Sequence, residues 1–428
     1  MTEQIWDVAV IGGGPAGMMA AGRAAEQGAR VILIEKNSSL GEKLLISGGG
    51  RCNFTNAEFD TRKFLSKFKD SDKFLFSAFS KWSVKETIDF FQDHGMQTKI
   101  EAGQRVFPAS DESQSVLNVL VDYMRSGNVT IKSSSPVKRF VKKESSQEKT
   151  KSASNTDNIS AIELKNGELI YAKSFVLATG GKSHPETGST GDGFVWLKKL
   201  GHTITEPSAS LVPIAIKDEW VKKLQGVPLE NVKITVLQNG KKQIVKKGKI
   251  LFTHFGLTGP TILNMSKDIG ELLKYDEVEL SLDIIPNLDY GQLNAKLQEI
   301  FAREATKKFK NSLKELASSS IAPVIVELSG INPDVTCNGI TREERLNLVQ
   351  LLKDIRIKVD SLLGTDKAIV TSGGVALNEI DFRTMQSKLF PNLYLVGDIL
   401  DIDRPSGGYS LQLCWTTGFV AGTAAGKV

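Results

Sequence analysis

Cysteine is scarce in this chain of 428 residues: Cys52, Cys337 and Cys414 lie far apart, and none belongs to a Cys-x-x-Cys pair. With only four histidines beside them, neither a disulfide framework nor a structural zinc site is expected, and a reducing, cytoplasmic setting fits. Long apolar runs are missing too. No stretch of about eighteen apolar residues occurs, which speaks against a membrane span. The N-terminus lacks the basic segment and apolar core of a secretory signal, because Asp7 and a glycine run interrupt it. Net charge is low, +5 from 54 basic and 49 acidic residues, a balance that by itself describes a solvated surface more readily than a nucleic-acid partner. What remains is ordinary globular composition, 40% hydrophobic and 24% charged, long enough for two or three domains. The lysines are uneven, however. Lys241, Lys242, Lys246, Lys247 and Lys249 form one cluster and Lys307, Lys308, Lys310 and Lys314 another, basic faces compatible with a polyanionic substrate.

The stretch from Asp7 to Lys36 organises the rest. Asp7-Val8-Ala9-Val10-Ile11 has the length and apolarity of a buried parallel strand and runs into Gly12-Gly13-Gly14-Pro15-Ala16-Gly17. Residues 17–27 are good helix formers on balance, and Gly28 stands where a helix stops. A second buried-strand pattern, Ala29 to Ile34, ends on Glu35 and Lys36. This is a complete βαβ unit. Gly12 permits the tight turn, Gly14 lets the backbone approach a pyrophosphate, and Gly17 lets the helix pack on the strand. Pro15 and Ala16 complete the cofactor-binding loop, and the helix after it points its free N–H groups and positive dipole end at the phosphates. Glu35, eighteen residues beyond Gly17, is placed to accept hydrogen bonds from an unphosphorylated adenosine ribose, as in FAD or NAD.

A second glycine-rich loop follows: Lys43, then Ser47-Gly48-Gly49-Gly50-Arg51-Cys52-Asn53. Uncovered backbone amides there can wrap an extended ligand, with Lys43 and Arg51 adding positive charge beside phosphates. Residues 60–126 read as amphipathic helices whose Phe74, Phe76, Phe79, Ile88, Phe90 and Phe91 belong to the core. The period then switches to strands at 129–131, 137–141, 159–164 and 169–172, with Asn166-Gly167 as a hairpin turn. The polar tract from Lys142 to Asn158 has nothing to bury and reads as a mobile loop. Another buried strand, from Ser174, ends on Thr179-Gly180-Gly181 ahead of a glycine-rich turn at 188–193 and a helix. Residues 202–285 are rich in short β patterns, with a turn at Asn239-Gly240, and 288–353 turn helical. Strand patterns at 355–359, 368–374 and 393–396 lead to Gly397-Asp398. This last strand has the character of the first, so the C-terminus rejoins the N-terminal sheet and the middle is an insertion.

The order of motifs, Gly12 to Gly17, Leu45 to Asn53, Ala178 to Gly181, Leu251 to Pro260 with Thr253-His254, Thr371 to Val375 and Gly397-Asp398 through Gly407-Gly408-Tyr409, resembles the three-domain bacterial flavoproteins that include aminoacetone oxidase-like and BaiN-like members. The likeness covers nearly the whole chain. Ser47 to Asn53 and Thr253 to Pro260 are its specific segments. Where that family usually reads Gly-Gly-Tyr-Asn, this chain carries Ser410.

The resemblance implies an α/β fold: a discontinuous Rossmann-like FAD-binding domain (1–194 and 366–428), an inserted β-barrel-like domain (195–286 and 354–365) and a small helical domain (287–353). It implies extended FAD with adenosine at Glu35, pyrophosphate at the first loop, Val137 offering its backbone to the adenine, and Asp398 at a ribitol hydroxyl or the phosphates. Gly408 and Tyr409 open a last helix, Leu411 to Ala425, whose N-terminus would face the flavin and stabilise negative charge on it. Thr253 and His254 are the candidate catalytic residues of the insertion, although a lone histidine is more often structural. A redox role for Cys52 needs a second thiol, and none is near in sequence, unlike the paired cysteines of thiol-disulfide reductases. No second glycine fingerprint marks an NAD domain, so NAD(P)H would dock transiently or the substrate would supply electrons.

The expected activity is hydride transfer at the flavin to or from a small amine, an unsaturated compound or a uridine of ribosomal RNA. A non-catalytic FAD-bound RNA-binding or assembly protein and an NAD-only dehydrogenase are the alternatives. No metal, membrane or stable protein partner is implied.

Overall fold

The computed structural model describes residues 4–143, 158–364 and 370–427. Strand β1 (Ile5–Ile11) is buried from Asp7 to Ile11, as a strand with parallel neighbours on both sides must be. Helix α1 (Pro15–Glu26) starts two residues ahead of the expected 17, because proline at a first helical position has no N–H to leave unpaired. Then come β2 (Val31–Ile34), α2 (Glu42–Ile46), β3 (Thr130–Lys132), β4 (Val137–Lys142), β5 (Ile159–Leu164), β6 (Leu169–Leu177) and α3 (Asp192–Leu200). The sheet runs in the order β3-β2-β1-β6-β5-β4. Val10 faces Leu33 of β2 and Val176 of β6, both in parallel, while β6-β5-β4 is an antiparallel meander.

Some expectations shift in detail. The two strands read at 169–172 and from Ser174 are one, since β6 pairs with β5 through Tyr171 and with β1 from Tyr171 onward. Of the polar tract 142–158, residues 144–157 lie outside the described residues. Between α2 and β3 the expected helices stand at Thr61–Leu65, Asp72–Phe79, Val84–Asp93 and Ser113–Ser126. A small antiparallel sheet of Thr55–Asn56, Thr98–Glu101 and Arg105–Pro108 accompanies them, its strands too short to show alternation. Phe79, Phe90 and Phe91 are buried, but Phe76, expected in the core, is 49% exposed. Leu75, Ala78 and Phe79 form the buried stripe of that helix, which leaves position 76 on its outer flank.

The insertion contributes β7 (Ile214–Ile216), β8 (Pro228–Gln238), β9 (Lys241–Phe252), β10 (Gly256–Thr258), β11 (Val278–Asp283) and β12 (Ile355–Leu362). They form an antiparallel sheet in the order β7-β10-β9-β8-β11-β12, and Ala215 of β7 also lies opposite Ser361 of β12. Asn239-Gly240 turns β8 into β9 as expected. In β12 the alternation is plain, with Ile355, Ile357 and Val359 buried and Arg356 and Lys358 exposed. Helices Tyr290–Arg303 and Arg342–Lys353 each begin with a reciprocal capping box, at Asp289 and Thr341. Their Leu297, Ile300 and Leu348 share one core with Ile234, Leu280 and Ile357 of the strands.

The chain then returns. Val370–Val375 pairs with Ile204–Ser210 as a separate two-stranded sheet, and β13 (Leu393–Leu395) joins β6 in parallel with Tyr394 opposite Val176. The last helix, α4 (Tyr409–Ala425), lies along α1. A Cβ at Gly418 or Gly422 would stand 2.5 Å from the carbonyl oxygen of Ala16 or Ala20, so the two helix backbones touch and any side chain there would part them. Trp415 locks the same helix by donating Nε1–H to the Phe54 carbonyl at 2.8 Å. Met1–Ala209 with Ile369–Val428 forms one compact unit and Ser210–Ala368 a second, giving a discontinuous Rossmann-like α/β core with an inserted antiparallel sheet and helical segments. Among the described residues no helix is long and apolar enough to cross a membrane.

Candidate cofactor site

A cavity of about 750 Å³ opens in the first unit where Ile11, Ile34, Ala178 and Val396, at the carboxyl ends of β1, β2, β6 and β13, reach its wall. Ligands of open α/β sheets bind at that edge. Gly12, Gly14, Pro15 and Ala16 line it. Gly12 turns at φ +107°, and a Cβ there would meet the Ala178 carbonyl oxygen at 2.5 Å. Gly14 differs: nothing lies within 4 Å of where its Cβ would be, so its bareness leaves room on the ligand side. Gly17 is not on the wall. Its missing Cβ would be 1.9 Å from the Gly12 oxygen, the close helix packing expected of it.

Two helices end at this cavity. α1 has Gly14 as its N-cap, and α4 has Gly408, neither with a side-chain cap nor an acid in the first turn. Their leading amides are therefore uncovered, and the positive ends of both dipoles lie at the wall formed by Ala16, Ser410 and Leu411. α4 starts two residues before the expected Leu411.

The charged groups of the wall are held by neighbours. Glu35 accepts the Gly13 N–H at 2.6 Å on one oxygen and the Asn37 N–H at 2.8 Å on the other, so it braces the glycine loop while keeping lone pairs for a ligand. Lys36 donates to Thr190 at 2.7 Å and pairs with Asp192 at 3.0 Å. Lys43 donates to Ser183 Oγ at 3.1 Å. Part of Lys43 reaches the cavity, yet protein atoms crowd its ammonium, and this desolvation pushes its pKa below the usual lysine value even with Asp398 nearby. Asp398 is gripped by Arg404, whose side chain is fully buried. Arg404 also donates Nε–H to Ser410 Oγ at 3.0 Å and Nη1–H to the Ile402 carbonyl at 2.7 Å. One guanidinium thus ties the turn after β13 to the first turn of α4.

Of the second glycine loop, Ser47 and Gly49 line the cavity, as do Val137, Thr179, Gly180 and Gly397 elsewhere. Gly50, Arg51, Cys52, Asn53, Gly181, Gly408 and Tyr409 stand off the wall. Arg51 pairs with Glu101 and Asp111 and lies 4.3 Å over the Phe107 ring. Cys52 is buried at φ +58°, and desolvation pushes its thiol pKa up to about 12; such a thiol is inert. Gly181 packs on Thr371, Gly408 on the Thr55 backbone, and Tyr409 against Phe64 with ring centres 4.7 Å apart. Thr253 and His254 belong to the second unit. Thr253 Oγ exchanges hydrogen bonds with the Gly256 backbone at 3.1 Å, and exposed His254 leans its ring on Phe255 at 4.9 Å.

Sequence reasoning missed Arg404, His184, Asp192 and Cys414. The last three line the cavity. Asp192 had a signal, since it closes the glycine cluster at 188–193. Cys414 had none: it lies inside an apolar helix, where burial and then Asp398 push its thiol up to about 12. A Ser–His–acid chain was also missed. His202 bonds Glu379 at 2.8 Å through Nδ1 and Ser387 Oγ at 3.0 Å through Nε2. None of the three lines the cavity, His202 and Ser387 are 3% and 2% exposed, and the serine oxygen already accepts the Leu389 and Phe390 amides. No reacting atom could reach it, so the chain is a structural clamp.

The family model described as HI0933-like protein Rossmann domain matches residues 6–424. The ribosomal RNA dihydrouridine synthase of Escherichia coli (strain K12) is 30% identical over 414 residues, 96% of this chain and 96% of that protein. The 3-dehydro-bile acid delta(4,6)-reductase of Clostridium scindens is 27% identical over 423 residues, 98% of this chain and 99% of that one. Among solved structures, 3-ketosteroid delta1-dehydrogenase from Sterolibacterium denitrificans in complex with 1,4-androstadiene-3,17-dione is similar with a TM-score of 0.55, covering 99% of both chains at 12% identity. That likeness is one of fold alone.

Proposed function

The chain belongs to the HI0933-like Rossmann-domain family, and from that premise we propose that it is an FAD-dependent oxidoreductase passing hydride from a nicotinamide donor to a carbon–carbon double bond. The observation that carries this reading is the convergence of two uncapped helix N-termini on one cavity at the carboxyl edge of the parallel strands, with Glu35 behind the glycine loop. The residues present fit the cofactor. The volume lies within the roughly 300–1,000 Å³ of ligand clefts. Gly14 leaves a cradle that any Cβ would fill, and Thr179 Oγ, buried on the wall, has no protein partner.

Bound FAD would supply a two-electron carrier that accepts and returns hydride. The α1 amides would hold the pyrophosphate, Glu35 the adenosine ribose, and Asp398, steadied by Arg404, the ribitol or phosphate edge. The α4 N-terminus would stabilise negative charge gathering on the ring system. Lys43, desolvated by the protein around its ammonium, would gain from an anion beside it.

For the substrate, the names of both relatives describe saturation of a double bond. In uridine that bond is conjugated to a ring carbonyl, which polarises one carbon for hydride while the other takes a proton. The 30% identity to the synthase puts a uridine of ribosomal RNA first. A small unsaturated ring compound is the second reading, supported by the near-complete coverage of the bile acid reductase.

The test is purification followed by an absorbance spectrum and anaerobic mixing with NADPH, NADH and small amines, then with uridine-containing RNA or a dienone. Bleaching of the yellow colour by a donor and its return on adding one acceptor is expected. Persistent colour with every donor would leave a non-catalytic FAD protein, and a colourless protein that takes up no added FAD would sink the reading.

A further inference from the structure

The geometry points to the β8–β9 hairpin as a docking surface for the phosphate backbone of RNA. This rests on the reading of RNA as the substrate and adds where it is gripped. Residues 228–252 carry six lysines, Lys233, Lys241, Lys242, Lys246, Lys247 and Lys249, against one acid, Glu230. The hairpin alone therefore matches the +5 of the whole chain, and everything else sums to zero. The excess is not spread over the surface as a solvated balance would be.

Most of it is also unneutralised. Lys249 pairs with Glu230 at 2.6 Å, and Lys247 reaches only the neutral Asn287 amide at 3.1 Å. Among the described residues, Lys233, Lys241 and Lys246 have no acidic partner, and Lys242 makes no ion pair, acting only at a distance on Asp354, which Arg356 already pairs at 2.7 Å. Lys233 and Lys247 stand directly opposite each other across the two strands, an arrangement of like charges that opposes pairing unless something anionic lies over it. The acid opposite Lys233 on its other side, Asp283, is taken by Lys353 at 2.7 Å.

A blander purpose exists for lysines on β9. That strand meets β10 only at Leu251 and Phe252, so 241–250 form a free edge, and edge lysines repel another chain's strand. This does not explain Lys233, because β8 is paired on both sides. The second lysine cluster supplies the contrast. Lys307 pairs with Glu304, and Lys308 and Lys310 both pair with Asp334, whose pKa the two lysines draw down to about 2. RNA fits the hairpin better than a lipid surface does. Its tip is Asn239-Gly240, and Val245 is the large apolar side chain exposed on it, too little to insert among acyl chains.

The experiment uses the full-length, FAD-loaded protein and a fluorescein-labelled single-stranded RNA of about 20 nucleotides, titrated by anisotropy between about 50 and 200 mM salt. Against the unaltered protein stand a hairpin variant with Lys233, Lys241, Lys242 and Lys246 each changed to Gln, and a control with Lys307→Gln, Lys308→Gln and Lys310→Gln. Exposed substitutions of this kind leave folding intact, checked by thermal midpoint and flavin content. The hairpin variant should bind at least about tenfold more weakly at low salt, with the slope of log affinity against log salt reduced by about 3, while the control keeps both. Unchanged affinity and slope in the hairpin variant would overturn the proposal. So would an equal loss in the control, or lysine-dependent binding of phosphatidylserine vesicles where RNA does not bind. If the protein proved unable to hold FAD, RNA binding by the hairpin would still be read by the same titration of the unloaded full-length protein, so the two failures are separable.

Discussion

The cavity of the first unit and the hairpin of the second both present positive charge, by opposite means. In the cavity it comes from backbone amides at two helix ends and from Lys43, held by Ser183, beside carboxylates that are themselves fixed, Glu35 by the loop amides and Asp398 by Arg404. On the hairpin it comes from exposed lysines at the ends of flexible stems, four of which make no ion pair among the described residues. The first arrangement would read the shape of one small molecule in low dielectric, where salt barely reaches. The second would read only the charge of a polymer and be screened by every added ion. One chain would then hold a nucleotide tightly and a nucleic acid loosely.

Four predictions break or sharpen that contrast, from the largest effect downward. Gly14→Val fills the space the glycine leaves toward the ligand while its backbone, at φ −81° and ψ −178°, tolerates a side chain. FAD uptake, followed by flavin fluorescence quenching, should fall by more than about a hundredfold, about 2.7 kcal/mol or more, with the thermal midpoint nearly unchanged. Retained uptake would remove the glycine loop from the site. Arg404→Met strands the Asp398 carboxylate beside a buried apolar group, and denaturant unfolding should show a loss of about 3–5 kcal/mol. Combining it with Asp398→Asn should recover part of that loss. Lys43→Gln should weaken FAD binding about tenfold, about 1.4 kcal/mol, the scale of one charge-assisted hydrogen bond. Raising salt from about 50 to 200 mM should then leave flavin content untouched while releasing RNA, and equal sensitivity of both would erase the distinction.

The smallest effect is a pH dependence away from either region. Burial lowers the pKa of His202 below its ordinary 6.5, overriding the attraction of Glu379. The unfolded chain therefore takes up that proton first, so the stabilisation is present above pH 6.5 and is lost as pH falls from there toward the folded value. Thermal midpoints should drop over that window in the unaltered protein and drop less in His202→Asn, which starts lower because Glu379 and Ser387 lose their partner. Parallel pH profiles would assign the change to other groups.

How much of this was legible in advance follows the range of the interactions. The opening strand, glycine loop, helix and second strand could be read because their pattern is completed within some thirty residues. The return of Leu393–Leu395 was readable because a fully buried strand is apolar on both faces. The Arg404–Asp398–Ser410 clamp spans only a few residues, but no local rule says which way an arginine turns. Arg51, read as a phosphate ligand, pairs with Glu101 and Asp111 far along the chain, a partnership that only the small antiparallel sheet creates. The Gly418 and Gly422 stripe looked like an ordinary apolar helix until α1 lay against it.

By itself, then, the sequence determined the βαβ unit, the discontinuous core and the existence of two lysine clusters, because each rests on local period, glycine spacing or composition. Only the tertiary structure decided which cluster is neutralised. Asp334 comes to Lys308 and Lys310 across a fold, while Asp283, the acid opposite Lys233, is drawn to Lys353 instead. Charge is written residue by residue, but whether it is left over depends on what the packing brings within reach.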